Sequence, residues 1–170
     1  LLTGKVVLVT AAAGTGIGSS VARRALAEGA DVVVSDYHER RLGETRDQLA
    51  ELGLGRVEAV VCDVTSTAAV DALITDTVTA MGRLDVLVNN AAARNFASLA
   101  DADASEWQSV VAVNLIGTAH FCKAALPALR QSAKGSIVNV SSCYAVTGRK
   151  GMGIYDATKA GVLALTRTLA

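Results

Sequence analysis

Five valine-rich runs separated by helical segments set the narrowest limit on what this chain can form. The runs are "KVVLVT" (5–10), "DVVVSD" (31–36), "RVEAVVCD" (56–63), "RLDVLVNN" (83–90) and "GSIVNVSS" (135–142). Each is strand-sized, apolar almost throughout and bounded by polar residues or glycine, the pattern of a strand covered on both faces. Between them the spacing predicts helices over Ile17 to Glu28, Glu39 to Leu52, Thr67 to Met81, Asp103 to Gln131, and from Tyr155 onward. Thr65 and Ser66 are placed to cap the third helix, and Asp103 with Glu106 has capping-box spacing for the fourth. Gly29, Gly53 and Gly82 stand where helices should stop. Strand, helix, strand repeated five times requires right-handed crossovers, hence an α/β fold with a doubly wound parallel sheet in three layers, α/β/α. The 170 residues suffice for one such domain, with 51% hydrophobic side chains to fill it.

In that architecture ligands bind beyond the carboxyl ends of the strands, where the winding reverses. The polar clusters obey the rule. "TAAAGTGIG" follows the first strand, Asp36 ends the second, Asp63 the third, "NNAA" the fourth and "SS" the fifth, so all five fall on one rim.

The turn "VLVTAAAGTGIGSS" (7–20) carries Gly14, Gly16 and Gly18 at alternate positions before a helix. A helix N-terminus with free N–H groups and bare backbone accepts phosphate, although a glycine-rich turn can also serve packing alone. Generic G-x-G-x-x-G fails, because its last position, counted from Gly14, is Ser19. Gly16 and Gly18 instead fit the end of T-G-x-x-x-G-x-G, with Ala12 at the first glycine and Thr10 one residue too far upstream, an insertion of one. A methyltransferase would share this layout but place an acidic residue in or just before the turn, and there is none. A non-catalytic nucleotide-binding or scaffold domain is the other alternative.

Tyr155 and Lys159 are four apart on a helix and share a face, and Ser142 precedes Tyr155 by thirteen residues. With "NNAA", "VNL" around Asn114 and this Ser–Tyr–Lys set, the whole chain resembles the short-chain dehydrogenase/reductase family. The resemblance implies a Rossmann-type single NAD(P)-binding domain over 1–170, with the glycine turn at 10–18 and a catalytic segment at 139–161. It implies hydride transfer between a nicotinamide cofactor and a secondary alcohol/ketone. Tyr155 exchanges the proton, Lys159 favours the phenolate and grips the ribose, Ser142 bonds the substrate oxygen, and Asn114 links Lys159 to solvent through water. Such chemistry needs these types: a free phenol titrates at about 10, and a nearby ammonium lowers that value. Without the resemblance, Asn114 reads as a core polar residue distorting its helix. Ser141 is the poorer candidate, because neighbouring strand residues face opposite sides.

The resemblance also implies cofactor contacts from Thr10, Ala12, Gly14, Thr15, Gly16, Ile17, Gly18, Asp36, Asp63, Val64, Asn90, Ala91, Tyr155 and Lys159. Asp36, ending the second strand some 20 residues after the turn, is placed to accept both ribose hydroxyls and repel a 2'-phosphate. NAD(H) is therefore expected, with NADP(H) open because Arg40 and Arg41 follow. Asp63 either meets adenine or caps its strand. Members of the family are longer, so the chain is expected to lack the last two strands and to be part of a longer protein, leaving an edge strand bare. The first ninety residues, especially 10–44, also resemble reductases of the 3-oxoacyl-thioester type, some of them from steroid-ring breakdown. That implies a small-molecule alcohol/ketone substrate, an acyl-thioester or an alicyclic ketone, and a homo-oligomer, dimer or tetramer.

Charge and cysteine usage exclude other classes. The 16 basic and 16 acidic side chains balance, removing the electrostatic footprint of a nucleic-acid binder. Three cysteines without CxxC spacing signal neither disulfides nor a metal site. The longest apolar stretches are broken by Gly, Asn or charge, so no membrane span and a cytoplasmic location are expected.

Overall fold

The computed structural model describes residues 1–170 as a five-stranded parallel sheet covered by helices. The strands are β1 (Val6–Thr10), β2 (Asp31–Asp36), β3 (Val57–Val61), β4 (Val86–Asn89) and β5 (Ser136–Asn139). Their order is β3-β2-β1-β4-β5, so the winding reverses between β1 and β4. Registers are continuous, with Leu8 opposite both Val33 and Leu87. This is the doubly wound sheet that the valine runs imply.

The helices are α1 (Ile17–Ala27), α2 (Glu39–Ala50), α3 (Thr67–Met81), α4 (Ala104–Val111), α5 (Thr118–Gln131), α6 (Tyr144–Thr147) and α7 (Gly153–Leu169). Strand side chains alternate faces and so feed two cores. Val7, Val9, Val32 and Val34 pack with Ala22, Leu26, Leu42 and Leu49 beneath α1 and α2. Val6, Leu8, Val33 and Leu87 pack with Leu73, Ile74, Phe121 and Ala125 beneath α3 and α5. Three α/β/α layers result.

The local signals perform as read. Ser66 accepts a hydrogen bond from the Ala69 amide, and Asp103 with Glu106 closes a full capping box. Gly29, Gly53 and Gly82 take positive φ of 90°, 62° and 80° at the helix ends, a region that costs a residue with a Cβ.

Four details differ from the sequence reading. The edge strands β3 and β5 are not covered on both faces: Val61 and Val138 are about half exposed, because each has a neighbour on one side only. The helix expected from Asp103 to Gln131 is interrupted by a π-helical segment, Ala112–Gly117, that joins α4 to α5. A short helix, α6, occupies the β5–α7 connection, and α7 begins at Gly153, ahead of Tyr155. Finally, the helical run Ala104–Gln131 spans 28 residues with a mean hydropathy of 1.4 in its most apolar window, enough by length and composition to cross a membrane. This overturns the expectation that no segment reaches that length, because the chain stays helical through Asn114 and Gly117 by way of the π-helical segment. In the fold it lies on the sheet, burying Phe121, Cys122, Ala125 and Leu129.

Candidate active site

The glycine turn is built from the inside out. Thr10, at the carboxyl end of β1, is 1% exposed, and its hydroxyl accepts from the amides of Asn90 and Ala91. Asn90 in turn donates to the carbonyls of Thr10 and Ala11, so β4 grips the start of the turn. Ala11 takes φ 50°, the one non-glycine residue with positive φ. Ala12 is fully buried in the core beside α1, with its amide donating to the Ser35 carbonyl. The side chains of Thr10, Ala12 and Asn90, expected against a cofactor, are thus committed to holding the turn.

The glycines divide by what surrounds them. A Cβ on Gly18 would lie 2.5 Å from the Ala11 carbonyl oxygen and 2.7 Å from Asn90 Nδ2, so helix and strand approach too closely for any side chain. Gly16 has nothing within 4 Å, and Gly14 combines open space with φ 84°. The Gly14 amide donates to Thr45 of α2. The amides of Thr15, Gly16, Ile17 and Gly18 have no protein partner and open the positive end of α1. The apolar side chain of Ile17 is 61% exposed beside them.

Next to the turn lies a cavity of about 370 Å³, between the carboxyl ends of β1, β2, β3 and β4. Asp36, Asp63, Val64 and Ala91 line it together with Cys62 and Tyr37. Asp36 accepts from the amides of Ala13 and His38, which ties β2 to the turn. Burial pushes its carboxyl above the ordinary range, against the Ala13 amide and the charge of Arg41. Arg40 is paired with Glu44, one turn along α2. Asp63 accepts from the amide and hydroxyl of Thr65, so it caps its strand while still facing the cavity. Burial, with Asp63 alongside, pushes the Cys62 thiol up to about 11, which leaves it unreactive. The bare backbone at Gly16, the free amides and this adjoining cavity fit a dinucleotide.

The second cluster gathers around α7. Tyr155 and Lys159 share one face of the helix, with the lysine nitrogen 5.7 Å from the centre of the phenol ring. Tyr155 is 7% exposed, and its hydroxyl has no hydrogen-bond partner within the protein. Lys159 is 2% exposed and donates to the Val140 carbonyl at 2.7 Å, with no carboxylate in contact. Burial and the charge of Arg94 push it down to about 8. Ser142 is half-buried and its hydroxyl accepts from the Tyr144 amide, whereas Ser141 donates to the Lys159 carbonyl. Both serines lie beyond the end of β5 at Asn139, and their hydroxyls serve different partners.

Asn114 lies in the π-helical segment and is fully buried. Its amide nitrogen donates to the Ala93 carbonyl and to Thr158 on α7, and its oxygen accepts from the Ala93 amide. Both amide hydrogens are therefore committed to protein groups, and the side chain is a strut joining the β4–α4 connection to α7. A water joining this side chain to Lys159 would have to donate to the second lone pair of Oδ1, since one is taken by the Ala93 amide. A π-bulge at such a site is a common device for turning a side chain out of register.

The sequence pass missed three charged residues around Tyr155. Arg94 and Arg149 place their guanidinium carbons 5.9 Å and 5.3 Å from its ring centre, and Asp156 is buried beside them. They sit in irregular segments or carry no periodicity, so only the immediate neighbourhood of "YDATK" could have flagged Asp156.

Comparison with known proteins bears on this arrangement. The family profile described as short chain dehydrogenase matches residues 5–170. A Mycobacterium tuberculosis protein named (5R,7aS)-5-hydroxy-7a-methyl-1-oxo-2,3,5,6,7,7a-hexahydro-1H-indene-carboxyl-CoA reductase is 59% identical over 98% of this chain, which spans 64% of that protein. A crystal structure of a short chain dehydrogenase from Mycobacterium smegmatis superposes with TM-score 0.97 at 62% identity, over 100% of this chain and 71% of that one. A xylitol dehydrogenase solved with NAD+ bound superposes with TM-score 0.95 at 34% identity, over 99% of this chain and 65% of that one. The chain belongs to the short chain dehydrogenase family.

Proposed function

We propose that residues 1–170 form one NAD(P)-binding domain of an oxidoreductase that interconverts a secondary alcohol and its ketone. The observation that carries this reading is the pairing on α7 of a phenol with no protein partner and a buried lysine with no counter-ion, on the same rim as the glycine turn. A buried ammonium without a counter-ion is costly unless its charge serves a neighbouring group or ligand, and the Tyr155 phenol lies beside it.

The turn residues Thr15 to Gly18 hold the pyrophosphate through free amides, while Asp36 takes the ribose hydroxyls, and Asp63, Val64 and Ala91 wall the cavity beside them. The cofactor, when bound, supplies or accepts the hydride. Ser142 donates a hydrogen bond to the substrate oxygen, and Tyr155 passes that oxygen its proton in reduction or takes it back in oxidation. Lys159 keeps its charge beside the phenol and has two N–H bonds left, after Val140, for the cofactor ribose. NAD(H) is favoured, because Asp36 faces the cavity and Arg40 is already paired with Glu44. The substrate is a small alcohol/ketone carried on an acyl-thioester or alicyclic skeleton, as the name of the mycobacterial relative suggests. The protein works in the cytoplasm as a homo-oligomer, pairing through the long helical run and α7. Less than half of that run's apolar window is covered within the chain.

Fluorescence titration with NADH and NADPH, followed by reduction of acetoacetyl-CoA and 1-decalone, tests the reading. Saturable binding, tighter for NADH, with turnover of either ketone is expected. Binding without turnover would favour a non-catalytic nucleotide-binding relative, and no binding of either nucleotide would overturn the reading.

A further inference from the structure

Asp156 directly follows Tyr155 on α7 and is 6% exposed, yet neither of its carboxylate oxygens makes a hydrogen bond. An unpaired carboxylate so placed is expensive, and its one compensation is Arg149, whose guanidinium lies 3.4 Å from Oδ1. Arg149 comes from the connection between α6 and α7. Its guanidinium carbon stands 4.1 Å from the centre of the Tyr144 ring and 5.3 Å from that of Tyr155, within the range of cation–π attraction. Its Nε is buried without a partner. One side chain therefore touches the residue after Ser142 and Cys143, the phenol, and the only acid beside it. The other charged groups at the phenol are Lys159 from the same helix and Arg94 from the β4–α4 connection.

We propose that Arg149, clamped by Asp156, is a positioning residue for Tyr155. It bolts the segment carrying Ser142 and Tyr144 against the phenol, and its ion pair with Asp156 anchors the guanidinium to α7. The broad guanidinium matters, since a lysine can supply the charge but presents no extended plane to reach both rings and the carboxylate at once. This inference rests on the oxidoreductase reading, and its failure can be told apart from the failure of that reading.

The test compares wild type, Arg149→Lys, Arg149→Met and Tyr155→Phe in ketone reduction with NADH, with nucleotide affinity measured separately by fluorescence. Arg149→Met is expected to lower kcat about tenfold or more, leaving NADH affinity within about twofold. Arg149→Lys should recover stability but only part of kcat. If Arg149→Met fails to fold, Arg149→Lys decides alone: reduced kcat with unchanged NADH affinity supports the role, and wild-type kcat overturns it. A wild-type kcat in Arg149→Met also overturns it, as does an equal loss of NADH affinity, which would show general disruption of the site. If wild type turns over neither ketone, or Tyr155→Phe turns over normally, the oxidoreductase reading falls and this inference with it. If both behave as expected and the Arg149 variants match wild type, only the inference falls.

Discussion

Two buried aspartates at opposite ends of the sheet show how differently this molecule treats its two rims. Asp85, just ahead of β4 at the amino end, has a side chain with no exposure. It is saturated by two bonds from Arg83 and one each from Lys5, Ser132 and the Val6 amide. Burial acts to raise its pKa, but those bonds outweigh burial and hold the carboxyl well below the usual range. Asp156, at the carboxyl end, is nearly as buried and has only Arg149 at 3.4 Å. At the amino rim the Asp85 carboxylate is fully bonded, while the carboxyl rim leaves a phenol, an ammonium, a carboxylate and four amides short of partners. Groups left incomplete by the fold are available to ligands, so the asymmetry separates stability from chemistry along the strand direction.

The sharpest way to break that separation is Tyr155→Phe, which removes one hydroxyl from the carboxyl rim. Turnover should fall about a thousandfold, with Tm and NADH affinity nearly unchanged. Loss of stability instead would mean that the phenol belongs to the structural set. At the opposite rim, Asp85→Asn should cost about 3 kcal/mol in chemical denaturation, while kcat per folded molecule stays the same. The pH dependence has a defined sign. The folded pKa of Asp85 is depressed, so its stabilisation is present above the ordinary carboxylate value and is lost as pH falls below about 4; the variant should lose that acid limb.

A smaller contrast lies within the glycine turn. Gly16→Ala enters open space at φ −84°, and should leave Tm unchanged while weakening NADH about tenfold. Gly18→Ala must displace the Ala11 carbonyl or the Asn90 amide, and should cost about 2 kcal/mol before any ligand is added. Equal effects in both assays would erase the distinction between a packing glycine and a ligand glycine. The smallest change in stability is expected from Lys159→Met, which removes a buried ammonium and should raise stability by about 1 kcal/mol at neutral pH even though turnover is lost. Because the folded pKa of Lys159 is lowered to about 8, the unfolded chain binds the extra proton between there and the ordinary lysine value, and wild-type stability rises with pH across that window. The variant should be flat there.

Much of this was legible beforehand. The valine runs and capping residues specified the sheet, its parallel sense and most helix boundaries, because burial on two faces and satisfaction of helix ends are local demands. Less legible was the division of labour among site residues. Thr10, Ala12, Asn90 and Asn114 looked like ligand contacts or relays, yet their hydrogen-bonding groups or surfaces are taken up by residues distant in sequence, such as Ser35, Ala93 and Thr158.

The sequence by itself determined the architecture and the rim on which the polar clusters gather, since periodicity is a property of the chain read in order, while resemblance to the family singled out Ser142, Tyr155 and Lys159. Only the tertiary structure decided which polar groups remain free. It closed the Asp85 network from Lys5, Arg83 and Ser132, opened the π-helical segment at Asn114, and brought Arg94 and Arg149 from separate segments to one phenol. Hydrogen bonds and charges act over a few ångströms of space, and no spacing along the chain records which distant residue will arrive there.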